Sequence, residues 1–311
     1  MTYSSKMTQL NSECDHDATQ SATSRVIGEG GLGVVRAVYD SALGTKVAQK
    51  SVIENMPLVD RARALLRKEA QITARLEHPN IIPVYEFGWH SDHSPYFTMK
   101  LVQGNRLGDL LSTKDSIERE PEDFEELLRN FVKILEGISF AHGQGIIHGD
   151  IKPDNVMVSD DGHVYVIDWG NAVPKHGVVI DKMGGGSPVG SPGYMSPEQA
   201  AGDMGAFDER TDIFGLGAIL YEMLTGVSPH RPFLNRETLA NAISGLVPPP
   251  GERTTAHLPP ELCQIAMRGM EPAKVDRYPS VVEMKRDVER YLASTSKNCA
   301  TDDQRSTRKA A

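Results

Sequence analysis

Cysteine is scarce in this 311-residue chain: Cys14, Cys263 and Cys299 are all there is, and none stands at a CxxC or other metal-ligand spacing. An odd, sparse set of thiols excludes a disulfide-stapled scaffold and a cysteine-ligated zinc site, and reads as free thiols in a reducing compartment. Long apolar runs are missing too. No segment approaches the roughly 18 uninterrupted apolar residues of a membrane span, and Met1-Thr2-Tyr3-Ser4 opens no apolar signal sequence. The expectation is a cytoplasmic protein with no membrane span. Positive charge is in deficit: 33 Lys and Arg face 42 Asp and Glu, for a net charge of −9 and no basic cluster, which argues against nucleic acid as a partner. No internal repeat is visible.

At 39% hydrophobic, the chain can bury a sizeable core, and its length suits either two domains or one two-part unit. Residues 1–22 are polar and rich in Ser, Thr, Gln, Asp and Glu, so they are expected to be disordered, as is the polar segment 293–311. The first organised stretch, Arg25 to Tyr39, reads as strand, Gly-rich turn, strand, with Gly28, Gly30 and Gly33 in a G-x-G-x-x-G and Val35 two residues on. Dinucleotide binding would need a helix directly after those glycines, whereas β-branched residues follow. A third strand over Thr45 to Val52 alternates so that Ala48 and Lys50 share one face and Val47 and Gln49 the other. The period of Val59, Ala62, Leu66, Thr73 and Leu76 predicts a helix from Leu58 to Leu76 with Glu69 on its apolar stripe. A carboxylate there needs a partner, and Lys50 is the obvious one.

Strands are expected at Ile81 to Phe87 and Tyr96 to Val102, with a lobe boundary near residues 100–104. A long helix over 124–142 follows, then strand pieces at 156–158 and 163–167. Residues 171–195 are rich in Gly, Pro and Ser and show little periodicity. Asp212 to Leu224 is apolar nearly all round, which predicts a buried central helix closed by Gly226. Further helices are expected at 236–244, 260–270 and 280–292. Between the long helix and the strand pieces lies His148-Gly149-Asp150-Ile151-Lys152-Pro153-Asp154-Asn155, and thirteen residues after the Asn comes Asp168-Trp169-Gly170. These are the groups that phosphoryl transfer uses: a carboxylate to orient a hydroxyl and take its proton, a carboxylate and an amide for a divalent metal, and a cation for the moving charge.

In this order, the pieces resemble the eukaryotic-like (Hanks-type) serine/threonine protein kinases, including those of bacteria, over residues 23–292. The resemblance implies an α+β, two-lobed fold. A small β-rich lobe with one key helix would take residues 23–102, and a larger, mostly helical lobe residues 103–292. It implies ATP and Mg²⁺ (or Mn²⁺ in its place) as cofactors, with Ser/Thr-bearing proteins, the chain itself included, as substrates. Gly28, Gly30 and Gly33 would cover the phosphates. Lys50 would hold the α- and β-phosphates and pair with Glu69. Val35, Ala48 and Met157 would sandwich adenine, Met99 would be the gatekeeper, and Lys100, Leu101 and Val102 the hinge. Asp150 would be the catalytic base, Lys152 would steady the γ-phosphate, and Asn155 and Asp168 would bind the metal. Glu198 is expected to pair with Arg277, Asp212 to hold the catalytic-loop backbone, and Ser191 to bridge Asp150 and Lys152 in place of the usual Thr.

The chain departs from the family pattern at four positions. Gly149 replaces the Arg that grips a phosphorylated activation loop, which implies activity that needs no such phosphate. Trp169 replaces Phe, and its larger ring implies a preference for Asp168 turned inward. Gln49 replaces an apolar residue on the face away from ATP, and Ser196 replaces Ala. Two rival readings stand beside this one. A small-molecule phosphotransferase of the aminoglycoside or choline type often carries His-Gly-Asp, but lacks Lys152 and the Gly190–Gln199 segment. An ATP-binding pseudokinase would normally have lost Lys50, Asp150 or Asp168.

Overall fold

The computed structural model describes residues 24–30, 33–53, 58–112, 120–175, 187–230 and 236–309. The N-terminal segment expected to be disordered lies outside them. The chain divides into two compact units, residues 1–67 with 85–101, and residues 68–84 with 102–311.

The first unit is built on a five-stranded sheet in the order β1-β2-β3-β5-β4, made of β1 (Arg25–Glu29), β2 (Gly33–Asp40), β3 (Thr45–Val52), β4 (Val84–Trp89) and β5 (Pro95–Lys100). β2 and β3 are rich in β-branched residues, which suit a half-buried pleated surface. The turn between them is closed by the Asp40 side chain, whose Oδ1 accepts from Ala42 N (2.9 Å) and Leu43 N (3.0 Å). Register sets Val35 opposite Lys50 and Ala37 opposite Ala48 on β2–β3, and Ala48 opposite Met99 on β3–β5. One sheet face therefore carries Val35, Ala48, Lys50 and Met99, and the other carries Val47 and Gln49. Gln49 is buried and its Nε2 has no hydrogen-bond partner among the described residues. The β4 strand starts at Val84 rather than Ile81: Ile81 and Ile82 bond instead to Val166, and Pro83, which has no N–H for a ladder, stands between.

The boundary between the units falls within α1 (Val59–Thr73), whose stripe of Ala62, Leu66, Glu69 and Thr73 is buried as the periodicity predicts. The second unit holds β6 (Gly104–Arg106), α2 (Leu107–Ser112), α3 (Pro121–Gly143), β7 (Ile146–Ile147), β8 (Val156–Ser159), β9 (Val164–Val166), β10 (Val173–Pro174), α4 (Pro197–Ala200), α5 (Glu209–Thr225), α6 (Arg236–Ser244), α7 (Pro260–Gly269) and α8 (Val281–Lys309). Its core gathers around α5. Ile213, Phe214, Leu216, Ile219 and Leu220 are fully buried, each worth about 1.5–3 kcal/mol of removed apolar surface. Asp208 and Thr211 form a capping box at its start, and Gly226 (φ 78°) closes its end. At Gly215 the helix meets the loop that follows β7: a Cβ there would stand 2.8 Å from Ile151 Cβ. The core continues through α7 and α8 as far as Val288.

α8 runs on through residues 293–309 to Lys309. That stretch is polar but contains no Gly or Pro to stop a helix. Residues 176–186 of the irregular segment lie outside the described residues. Among the described residues, no helix is long and apolar enough to cross a membrane.

Candidate active site

In the first unit, Gly28 lies on β1 and Gly33 opens β2, and Gly30 N donates to Gly33 O at 2.9 Å. Gly33 passes so close to β3 that a Cβ would stand 2.8 Å from Ser51 O. Val35, Lys50, Met99, Lys100 and Leu101 are half-buried, and Ala48 is buried. Val102, half-buried, begins the second unit's long segment. Glu69 is buried and belongs to the second unit, so the pairing expected with Lys50 crosses the unit boundary.

The second unit assembles the rest of the expected residues. Asp212, at the head of α5, is 1% exposed. Its Oδ2 accepts from His148 N and its Oδ1 from Gly149 N, both at 2.8 Å, and His142 Nε2 lies 2.8 Å from Oδ2. Burial pushes this carboxyl up, but the His142 hydrogen bond and charge, His148 and the Gly149 N–H outweigh it and hold it below its ordinary range. His148 is fully buried, with Nε2 3.2 Å from Ile167 O and its ring 4.6 Å from that of Trp169. His148 Nδ1 accepts from Asp150 N at 3.2 Å. Gly149 sits at φ 75°, where a Cβ would also press to 3.0 Å from Asn171 O, so glycine is the residue this backbone accepts most cheaply.

Asp150 is the centre of a short chain of contacts. Lys152 Nζ lies 3.2 Å from Asp150 Oδ2 and donates to Ser191 Oγ at 2.5 Å. Asn155 Nδ2 donates to Asp150 O (2.8 Å) and to Asp150 Oδ2 (3.2 Å). Both of those bonds use the amide nitrogen, which turns the Asn155 oxygen the other way. Asp168 is exposed and left-handed (φ 61°, ψ 70°), and its Oδ1 lies 3.1 Å from where a Cβ on Gly170 would stand. Trp169 is buried and its Nε1 has no partner among the described residues. Met157, on β8, is half-buried. The space left behind the Asp150 loop is small, about 10 Å³, and is lined by Ser191, Gln199, Thr211 and Asp212 among others. Among the described residues, no three His, Cys, Asp or Glu side chains gather as a ready-made metal site.

The segment after residue 187 is fastened independently. Glu198 takes a two-pronged bond from Arg277 (2.9 and 3.0 Å) and a third from Thr211 Oγ1 (2.9 Å). Arg277 also reaches Arg210 O, Glu271 O and Pro272 O, so every N–H direction of its guanidinium is used although its side chain is wholly buried. Burial alone pushes the Glu198 carboxyl up; the hydrogen bonds and charge of Arg277, with Thr211, bring it below its usual value. Sequence reasoning did not single out His142 or Gln199. His142 gave no signal, being the last turn of a helix far from Asp212 in the chain. Gln199 did give one, because Ser196-Pro-Glu-Gln199 has the S-x-x-Q spacing of a capping box, which it forms.

Comparison with known proteins agrees with this geometry. A family model described as the protein kinase domain matches residues 21–258. The chain is 34% identical over 298 residues to the serine/threonine-protein kinase PknD of Chlamydia trachomatis serovar L2b, which covers 86% of this chain and 31% of the relative. The same-named proteins of Chlamydia felis (34% over 292 residues, 86% of this chain, 30% of the relative) and Chlamydia muridarum (33% over 298 residues, 88% and 31%) are similarly related. The chain thus spans about a third of the length of these relatives.

Proposed function

The chain belongs to the protein kinase family, and from that premise we propose that it transfers the γ-phosphate of ATP to Ser and Thr hydroxyls of proteins, itself among them. The observation that carries this reading is the Asp150–Lys152–Ser191 contact chain: a carboxylate, a cation and a hydroxyl from the activation segment within bonding distance of one another. Asp150 orients the acceptor hydroxyl and takes its proton, and Lys152 carries charge toward the moving phosphoryl group. Ser191 spaces the two. In the first unit, Gly28, Gly30 and Gly33 bring backbone close to phosphate oxygens. Lys50 supplies a second cation, and Glu69 is its proposed partner. Val35, Ala48 and Met99, with Met157 and the hinge Lys100–Val102, take the adenine.

The residues present fit Mg²⁺, or Mn²⁺ in its place. The Asn155 oxygen is turned away from Asp150, and Asp168 is exposed beside a glycine. Two protein ligands suffice for a hard cation that takes its remaining oxygens from phosphates and water. When bound, the metal neutralises phosphate charge; the protein's part is to place the two oxygens. The net charge of −9 opposes nucleic acid as a partner, and the cytoplasm, where ATP is held, is the proposed place of work.

The test is transfer of labelled γ-phosphate to a generic basic protein and to the chain itself. Asp150→Asn is expected to lower the rate by about 10²–10⁴-fold, and Lys50→Met to lower it severely; phosphate should appear on Ser and Thr. Label on a small alcohol or an aminoglycoside, or nucleotide binding with no transfer, would overturn the proposal.

A further inference from the structure

Gly149 contributes no side chain, yet its carbonyl is held: Gln199 Nε2 donates to Gly149 O at 2.8 Å, from a side chain only 4% exposed. The other end of the same amide is also occupied, since Gln199 Oε1 accepts from Ser196 N (3.1 Å) and Ser196 Oγ (3.3 Å). Its backbone O accepts from Val189 N at 3.2 Å. Gly190, next in line, adopts φ 110°, and a Cβ there would stand 2.9 Å from Gln199 Nε2, 3.4 Å from Gly149 O and 3.6 Å from Asp150 Oδ1. Gln199 thus touches the catalytic loop, Gly190 and the Ser196 turn through its side chain, and Val189 through its backbone.

From these contacts we infer that Gln199 is a positioning residue for phosphoryl transfer, a neutral clamp that holds the activation segment on the catalytic loop. The inference rests on the proposed function. The peptide group between Gly149 and Asp150 is gripped on both edges, its carbonyl by Gln199 and its N–H by His148 Nδ1. That fixes the plane from which the Asp150 side chain departs. Two residues beyond Val189, Ser191 holds Lys152, so the same clamp sets the spacing of Asp150, Lys152 and Ser191. Without Gly149's side chain, no ion pair to a phosphate can form at that position. The Gln199 amide joins the same two segments with no charge at any pH.

Two variants test the clamp through phosphate transfer to a basic protein. Gln199→Met keeps the volume and removes the donor. Gln199→Glu keeps an acceptor for Ser196 but turns an unprotonated oxygen on Gly149 O, where only a protonated carboxyl can donate. At pH 8 both should lose about tenfold in kcat, with KM for ATP within about twofold. Toward pH 6, the ratio of wild-type to Gln199→Glu kcat should shrink, because burial raises a carboxyl's pKa, while the Gln199→Met ratio stays level. An unchanged kcat in Gln199→Met, or a Gln199→Glu ratio that is flat with pH, overturns the clamp. Should Gln199→Met fail to fold, the Gln199→Glu pH series decides alone. If wild-type protein transfers no phosphate, the proposed function has failed instead. The clamp is then judged by hydrogen exchange at the Asp150 N–H, expected to quicken about tenfold or more in Gln199→Glu at pH 8; unchanged exchange overturns it.

Discussion

Gly149 shows how far a single residue type can be read and where the reading stops. Its presence before Asp150 was enough to predict a catalytic loop with no arginine to sense a phosphate. Protein stripped of phosphate, or carrying Ser187→Ala, is therefore expected to transfer at the rate of untreated protein; loss of nearly all activity would refute this. The sequence could not show that the backbone here is left-handed, since φ depends on the loop around it. With φ at 75° and Asn171 O pressed close, Gly149→Ala should cost about 1–2 kcal/mol of stability, seen as a lower urea midpoint. Trp169 was readable only as a larger ring in place of Phe. In place, its indole N–H is buried with no acceptor among the described residues, a situation that costs about 1–3 kcal/mol. Trp169→Phe trades that penalty against lost packing and is expected to change unfolding free energy by less than about 1 kcal/mol, against about 3–5 for Trp169→Ala.

Long elements with strong periodicity were the easiest to read. α3, α5 and the α1 stripe lie within a few residues of expectation, because an apolar face or a wholly apolar helix leaves its period in the sequence. Short pieces escaped. α2 is six residues long and is anchored by buried Leu107 and Leu111, with Leu110 packed beside them, while β7 and β10 are two residues each and pair with one another. The fastening of α4 to the start of α5 is tertiary, yet its two charges, Glu198 and Arg277, were anticipated from the family resemblance. Removing the cation with Arg277→Met would leave a buried carboxylate uncompensated, at an expected cost of about 3–5 kcal/mol in denaturant unfolding. Glu198→Leu combined with Arg277→Met should recover much of it; equal damage in single and double variants would argue that packing, rather than charge, holds the junction.

Across the full chain, the motifs were readable because their order survives in one dimension, whereas the web joining His142, His148, Gln199 and Asp212 exists only after folding. That web has a thermodynamic signature. Asp212 and Glu198 are both held below their ordinary values in the folded chain, so the folded form gives up these protons more readily than the unfolded form does. Their stabilisation is complete above the unfolded carboxylate value, near pH 4, and is lost as pH falls through the folded values. The melting temperature should accordingly drop steeply below about pH 4, and Glu198→Gln should make that drop shallower; an unaltered slope would remove Glu198 from the account.

The Glu198–Arg277 junction also imposes an order on biosynthesis. The two residues are 79 positions apart, so at about 5–20 residues per second the carboxylate waits roughly 4–16 seconds on the ribosome for its counter-ion. Early in the same interval the apolar surface of α5 has been made before α7, and α8 follows only after Arg277, although both complete its core. A nascent chain halted near residue 258, where the kinase-domain match ends, would carry a sticky helix and an orphan charge. The larger unit is thus closed from its C-terminal side, and its unfinished form is the kind of client that holding chaperones and proteases recognise.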